Sequence, residues 1–480
     1  MRPSRGQART VIFIDVALFC PKRVGLARRS RHSRSMHDAV SYGLPWTVPF
    51  IGLLLTIAAA PIVLRHHWER HYWLFAIGWA LAYLGPNAFA HGADGTVRQV
   101  LEVAIEEYLP FMLLLGTLFI VTGGISISGT LRGSAIANTG ILAFGTMIAS
   151  IVGTPGAALL LLRPLLRANL HRRKATHVFV FYIFLVANIG GSLSPLGDPP
   201  LFLGYLNGVP FFWPTLHLAL PTLTLAGGML ATFYALDRYL QRRSDAQALD
   251  AVVEAARLGI AGRINLVLLA AVIGVALLRV FWQTDAGIDV MGTHWTVVEI
   301  ASNLLLAAIA VLSLALTPRG VRQANDFVWS PFIEVGVLFA AIFVTLLPVM
   351  QIVEAGPNGP AGALFAGMMA QGVPDNSMFY RVTGGLSAFL DNAPTYLVFF
   401  GLAGGDPTRL IGPLAPTLAA ISAGACYFGG FSYIGNAPNL MVKSIVERHG
   451  VPMPGFFGYI GWAAVYLLPW LLVIEVLFMH

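Results

Sequence analysis

Charge is what this 480-residue chain has least of: Asp, Glu, Lys and Arg make up 11% of it, against roughly 25% in soluble domains. With 56% of its residues hydrophobic, that scarcity excludes an ordinary water-soluble globule and leaves an all-α polytopic membrane protein. Cysteine is nearly absent as well. Cys20 and Cys426 stand far apart, which excludes a disulfide framework or a cysteine metal cluster, and Cys426 reads as a small buried residue. Nor does the net charge of +7 mark a nucleic-acid binder. Residues 1–35 hold nine Lys or Arg against Asp15 alone, and the rest of the chain, with 21 basic and 22 acidic residues, is neutral within one charge. The apolar run TVIFIDVALFC in that leader has about eleven residues, too short to span a bilayer. Residues 1–43 are therefore read as a basic arm, with Met36 the expected start.

What the chain does have is NIGGSLSPLGDPPLFL at 188–203, where glycines, serines, three prolines and an aspartate interrupt two apolar runs. A helix cannot stay continuous through Pro195, Pro199 and Pro200. Broken backbone is tolerated at membrane depth only where protein buries it or a watery cavity meets it. The pattern returns 238 residues later in CYFGGFSYIGNAPNLM at 426–441: Gly191 matches Gly429, Ser194 matches Ser432, Gly197 matches Gly435, Asp198 meets Asn436 and Pro200 meets Pro438. Two interrupted segments in corresponding halves point to the binding site of a secondary transporter.

Apolar runs of spanning length lie near 44–64, 72–89, 107–123, 213–236, 264–282, 295–316, 328–349 and 457–479, and the interrupted segments 177–207 and 412–445 bring the full crossings to about ten. Two further stretches, 136–166 around Pro155 and 376–401 around Pro394, turn half-way, and each limb reads as too short to cross, so both are expected to be re-entrant hairpins. With residue 44 outside, the inner loops collect 17 of the 21 Lys and Arg beyond the leader, the positive-inside pattern. The organisation that follows has scaffold helices at 44–106 and 264–327 and a cytoplasmic linker, expected to be an amphipathic helix, at 237–263. Two inverted repeats occupy 107–236 and 328–480, sharing Pro-Phe at 110–111 and 331–332 and G-x-L-F at 116–119 and 336–339.

Asp198 and Asp391 are the carboxylates at the breaks, and an acid at membrane depth marks an ion or proton pathway by default. The oxygen-bearing neighbours that would share a sodium ion with them are Thr154, Asn188, Ser192, Ser194, Asn392, Thr395, Ser432, Asn436 and Asn439, with Pro155, Gly156, Gly197 and Gly435 shaping the backbone. The plain alternative is that both aspartates merely cap broken helices. Glu334, one turn past Pro331-Phe332, is a third candidate for carrying protons, or else a structural partner. Arg163 reads as the end of the first hairpin, His66, His67 and His71 as a wet loop, and Trp46, Trp68, Trp73, Phe211, Phe212, Trp213 and Trp470 as interface anchors.

These motifs resemble the ion transporter superfamily, in particular the bacterial sodium:proton antiporter-like family whose members are labelled citrate transporters. The matching text is LFIVTGGI, GTPGAALLLLRPLLRAN, NIGGSLSPLGDPPLFLGYLNGVPFFW, LSAFLDNAPTYLVFF and YIGNAPNLMV, over most of 105–445. The resemblance implies inverted repeats with unwound helices, a dimerising scaffold, a transport domain that moves as an elevator, and sodium near Thr154–Gly156, Ser194–Asp198, Asp391–Thr395 and Ser432–Asn436. One departure matters. Citrate and dicarboxylate symporters of the superfamily carry Ser-Asn-Thr at each hairpin tip, whereas the tips here read Gly-Thr-Pro-Gly and Asp-Asn-Ala-Pro-Thr. The expectation is therefore exchange of sodium or lithium for protons in a bacterial inner membrane, without an enzymatic cofactor and without nucleic acid; the alternative is a coupled citrate or dicarboxylate carrier. Leu196-Gly197-Asp198 is also the short sequence of an intramembrane aspartyl protease, but that reading gives the duplicated Gly435-Asn436 no purpose.

Overall fold

An apolar chain has to satisfy its backbone hydrogen bonds internally. Residues 42–129, 133–172, 174–243, 259–282, 284, 286–290, 293–325, 327–370 and 372–480, which the computed structural model describes, are accordingly mostly helical. The leader with Met36 and the middle of the linker, 244–258, lie outside the described residues. After a 3-10 turn at Leu44–Thr47 come α1 (Val48–Val63), α2 (Arg65–His91), α3 (Ala93–Val103) and α4 (Leu109–Gly123). A π turn at Ala104–Tyr108 joins α3 and α4 into one 31-residue apolar rod. Next are α5 (Ala135–Val152), α6 (Thr154–Asn169), α7 (Thr176–Leu185), α8 (Pro199–Leu206), α9 (Trp213–Arg243), α10 (Ile264–Phe281), α11 (Val297–Leu316) and the short α12 (Arg319–Ala324). The chain closes with α13 (Ser330–Glu354), α14 (Gly362–Gly367), α15 (Asn376–Ser387), α16 (Asn392–Leu402), α17 (Pro407–Ile411), α18 (Ala415–Phe428), α19 (Ala437–Arg448), α20 (Phe456–Trp462) and α21 (Leu468–Phe478).

Among the described residues, nine helices are long and apolar enough to cross a membrane, so the chain is a polytopic helical membrane protein. The nine differ from the expected crossings in three ways, the first being that the interrupted segment 412–445 contributes only the shorter apolar helix Ala415–Phe428. The run 72–89 is helical within α2, yet its Tyr and Trp residues with Pro86 and Asn87 leave it outside that set. By contrast α5, expected to be too short, has 18 residues, about 27 Å at 1.5 Å per residue, and qualifies by length. Arg163 does not end the first pair either: α6 runs past it and through Pro164 to Asn169. His66, His67 and His71 belong to the first turns of α2 rather than to a loop. Trp68, Trp213 and Phe211 are buried, not interfacial anchors, whereas Trp73 and Phe212 are exposed. Three short antiparallel ladders depart from the all-helical expectation: β1 (Ser126–Ser128) with β2 (Gly259–Ala261), β3 (Gly287–Val290) with β4 (Thr293–Thr296), and β5 (Met369–Ala370) with β6 (Val373–Pro374). All lie in connections between helices, where the periodicity of apolar residues carries no strand signal.

Each half repeats one order of elements: a long helix (α4, α13), a helical pair (α5–α6, α15–α16), a broken helix (α7–α8, α18–α19) and a closing helix (α9, then α20–α21). The leading helices run antiparallel. Phe111 stacks on Phe339 at 4.8 Å between ring centroids, Phe119 stacks on Phe332 at 5.8 Å, and the Tyr108 hydroxyl donates to Gly336 O (3.0 Å). The closing helices meet where the Trp470 indole donates to Thr232 Oγ1 (3.1 Å) and a Cβ on Gly228 would strike that indole. The stretch Thr176–Leu193, carrying the first break, is 89% buried inside the protein. The broken helix is thus the core of the molecule, and its irregular backbone meets protein rather than lipid, as the bilayer requires.

Candidate functional site

Two helical pairs bring their turns to the breaks. α5 and α6 fold back on each other, with Asn138 Nδ2 donating to Asn169 Oδ1 (3.0 Å) at the open end and Gly153 (φ 81°) making the turn. At that turn the Thr154 amide donates to Gly197 O (2.8 Å). Pro155 starts α6 where a missing N–H costs nothing, and Gly156 lies so close to α4 that a Cβ would come within 2.8 Å of Thr122 Cγ2. In the second pair Asp391 takes the place of Gly153 and Asn392 that of Thr154, at the same 238-residue spacing. The break serines fasten both turns: the Ser194 hydroxyl donates to Ser150 O, and Ser432 Oγ donates to Ala388 O (2.5 Å). Glycine is required where the loops cross themselves, since a Cβ on Gly197 would lie 2.1 Å from Gly191 O and one on Gly435 2.7 Å from Gly429 O.

The chain so folded surrounds Asp198, which is 2% exposed. It stands just before α8 but its side chain does not cap that helix. It faces inward instead: Thr154 Oγ1 donates to Oδ1 (3.3 Å), Asn436 Nδ2 donates to Oδ1 (3.2 Å) and Asn392 Nδ2 donates to Oδ2 (2.8 Å). The buried Cys426 thiol lies beside this carboxylate. Asn188 extends the network, accepting from Asn436 (3.2 Å) and donating to Asn439 Oδ1 (2.8 Å), while Asn439 Nδ2 donates to Gly429 O (2.8 Å) and Ser432 O (2.9 Å). Asn392 is 1% exposed, and among the described residues no donor reaches its Oδ1. Beside Asp198 lies a cavity of about 30 Å3, lined by residues including Phe111, Leu118, Val152, Pro155 and Pro195. That is room for a water or an ion, well short of the roughly 300 Å3 at which small-molecule pockets begin.

The sequence candidates divide clearly. Thr154, Asn188, Asp198, Asn392, Asn436 and Asn439 share one hydrogen-bonded cluster. Ser194, Ser432, Gly197 and Gly435 hold its backbone. Asp391 does what the plain alternative supposed and caps α16 by accepting from Ala393 N (3.0 Å). Thr395 bonds locally to Asp391 O (2.9 Å). Ser192 turns to Ile189 O (2.7 Å) and to Thr222 Oγ1 (3.0 Å), which meets the Tyr427 hydroxyl (2.7 Å). Glu334 is not brought into the cluster: it accepts from the Trp68 indole (2.9 Å) across α13 and α2. Sequence reasoning missed Ser150, Thr222, Tyr427 and the role of Cys426. Ser150 carried no signal in the sequence, since its contact with Ser194 arises only when the first helical pair folds against the break.

Among the described residues no group of three or more His, Cys, Asp or Glu could hold a metal ion, so a cation beside Asp198 would rest largely on neutral oxygens. No curated protein matches the chain. A family model described as “Putative citrate transport” matches residues 39–479, nearly the whole length. Its interrupted helices, their glycine crossings and the carboxylate they enclose thus belong to a transporter scaffold, and the chain is a member of that citrate-transport family.

Proposed function

We propose that the protein is a secondary active transporter that exchanges sodium, or lithium, for protons across a bacterial inner membrane. The observation that carries this reading is the surroundings of Asp198. The carboxylate is enclosed by Thr154, Asn392 and Asn436, none of them cationic, beside an Asn392 acceptor that no described donor satisfies. An uncompensated carboxylate and a spare acceptor in low dielectric are both unfavourable. A hard cation held by these oxygens neutralises the first and satisfies the second; a proton on Asp198 neutralises the carboxylate in the cation's place. Two cations competing for one carboxylate constitute an exchanger. Hydroxyl and amide oxygens at unwound helix ends are the ligands expected of such a site.

In this reading the two units are inverted repeats, α5–α6 and α15–α16 are re-entrant hairpins entering from opposite faces, and the basic inner loops set the orientation. Support comes from the antiparallel course of α4 and α13 and from their reciprocal stacking, Phe111 on Phe339 and Phe119 on Phe332, the pattern of a two-fold contact. The helices at 44–106 and 264–327 form a dimerising scaffold, against which the hairpins and broken helices move as an elevator.

A second reading, coupled transport of citrate or a dicarboxylate, has the family's description in its favour. It also has Arg279, which donates to Asn303 Oδ1 (2.8 Å) and borders a small cavity shared with Pro195 and Leu196 of the break. The deciding experiment is dissipation of a pH gradient in proteoliposomes on adding sodium, lithium, potassium and citrate in turn. Dissipation by sodium or lithium, lost in Asp198→Asn, is the expected result. No cation response, with sodium-driven uptake of labelled citrate, would replace the exchanger by the carboxylate carrier.

A further inference from the structure

Away from Asp198, each closing helix buries one more acid. Asp237 near the end of α9 is 0% exposed and Glu475 near the end of α21 is 4% exposed, and they stand at the same 238-residue spacing as the two breaks. Each ties its own helical pair to its closing helix, Asp237 at the open end of α5 and Glu475 half-way along α15, where the open end itself is held by Ser377 Oγ donating to Met479 O (2.9 Å). Asp237 accepts from Asn138 Nδ2 of α5 (3.0 Å), from Arg172, and from His177 Nε2 of α7 (2.8 Å). Among the described residues only Arg381 of α15 reaches the Glu475 carboxylate, at 2.5 Å.

The two anchors are unequal. Arg172 is 14% exposed and Arg381 65%. A buried charge held by several donors resists separation, because removing one partner strands the other. A pair with a solvated guanidinium is weak, because water competes for it. Glu475 lies within one turn of the end of its helix, so water reaches it after a small displacement. The turns carry the same bias. Ser150 adds hydroxyl bonds to Gly190 O (2.5 Å) and from Leu193 N (3.0 Å), where the second pair has Ala388, which has no hydroxyl to offer.

We propose that Asp237 and Glu475 are paired positioning residues of unequal strength: the Asp237 anchor keeps the first helical pair shut at its base, and the Arg381–Glu475 anchor releases the second, which opens to give an ion access to Asp198. This rests on Asp198 being the ion site and deepens that reading. Opening the second pair withdraws Asn392 from the carboxylate and uncovers Cys426 beside it.

Cys426 supplies the probe. In the full chain carrying Cys20→Ser, reconstituted in liposomes, the alkylation rate of Cys426 by N-ethylmaleimide reports the opening. Arg381→Gln is expected to raise that rate by about two- to fivefold, the order an exposed pair is worth, and the reversed pair Arg381→Glu with Glu475→Arg to bring it back close to that of the starting protein. Asp237→Asn is expected to leave the rate unchanged; should that variant not reach the membrane, Asn138→Ala, which keeps the charges paired, takes its place with the same expectation. An unchanged rate in Arg381→Gln, a reversed pair that stays fast, or acceleration on weakening the first anchor would each overturn the proposal. Labelling needs no transported ion, so a protein that labels as expected yet moves neither sodium nor protons refutes the exchanger alone.

Discussion

At the scale of single residues, the site turns on Asp198 facing inward instead of capping its helix. Asp391 and Asp198 looked equivalent in the sequence, each an acid at a helix break. In the fold one is a cap and the other is the centre of a six-residue cluster. Asp198→Asn is therefore expected to abolish cation-dependent transport in reconstituted protein without preventing membrane insertion, and a rate like that of the starting protein would remove Asp198 from the site. Gly197→Ala tests the crossing of the break instead. Its Cβ would sit 2.1 Å from Gly191 O, a backbone atom that cannot step aside. A loss of at least about 2 kcal/mol is expected, at or above the middle of the usual overpacking range, visible as a lower melting temperature of the detergent-solubilised protein; an unchanged melting temperature would show that the loop relaxes.

At the scale of elements, much was legible and the reasons are specific. Pro195, Pro199 and Pro200 cannot be accommodated in a running helix, so the break at 186–198 could be read from covalent chemistry alone. The second break was legible because its glycines, Asn436 and Pro438 repeat the first pattern 238 residues on. The lengths of the limbs were not legible, because α5 and α6 continue through residues such as Pro164 that burial tolerates. Nor was it legible that Asn392, and not its neighbour Asp391, reaches across to Asp198, since one step along a helix turns a side chain by about 100°. If the helical pairs enter from opposite faces, cysteines placed at Arg172 and at Ser377, by the two open ends, should react with an impermeant maleimide from opposite sides of right-side-out and inverted vesicles. Labelling of both from one side would dismantle the inverted arrangement.

At the scale of the whole molecule, an ion that binds the folded protein and not the unfolded chain must raise its stability. At a concentration 100 times its dissociation constant the gain is about 2.7 kcal/mol. Sodium and lithium, but not choline, are accordingly expected to raise the melting temperature of the purified protein, and Asp198→Asn to lose that shift. A shift by citrate in a sodium-free buffer would point instead to the anion as the primary ligand.

The contact between Thr232 and Trp470 has a consequence of another kind. These residues are 238 positions apart and touch each other, as do Asp198 and Asn436. If the two halves descend from one duplicated gene, each contact was once a residue meeting its own copy in a pair of identical subunits inserted in opposite directions. Two aspartates could not both have stayed charged at the Asp198–Asn436 position, and two tryptophans could not have shared the space at Gly228. Duplication would have freed the halves to diverge at just these points. On that history the asymmetry at the proposed ion site would date from after the fusion of two identical subunits into a single chain.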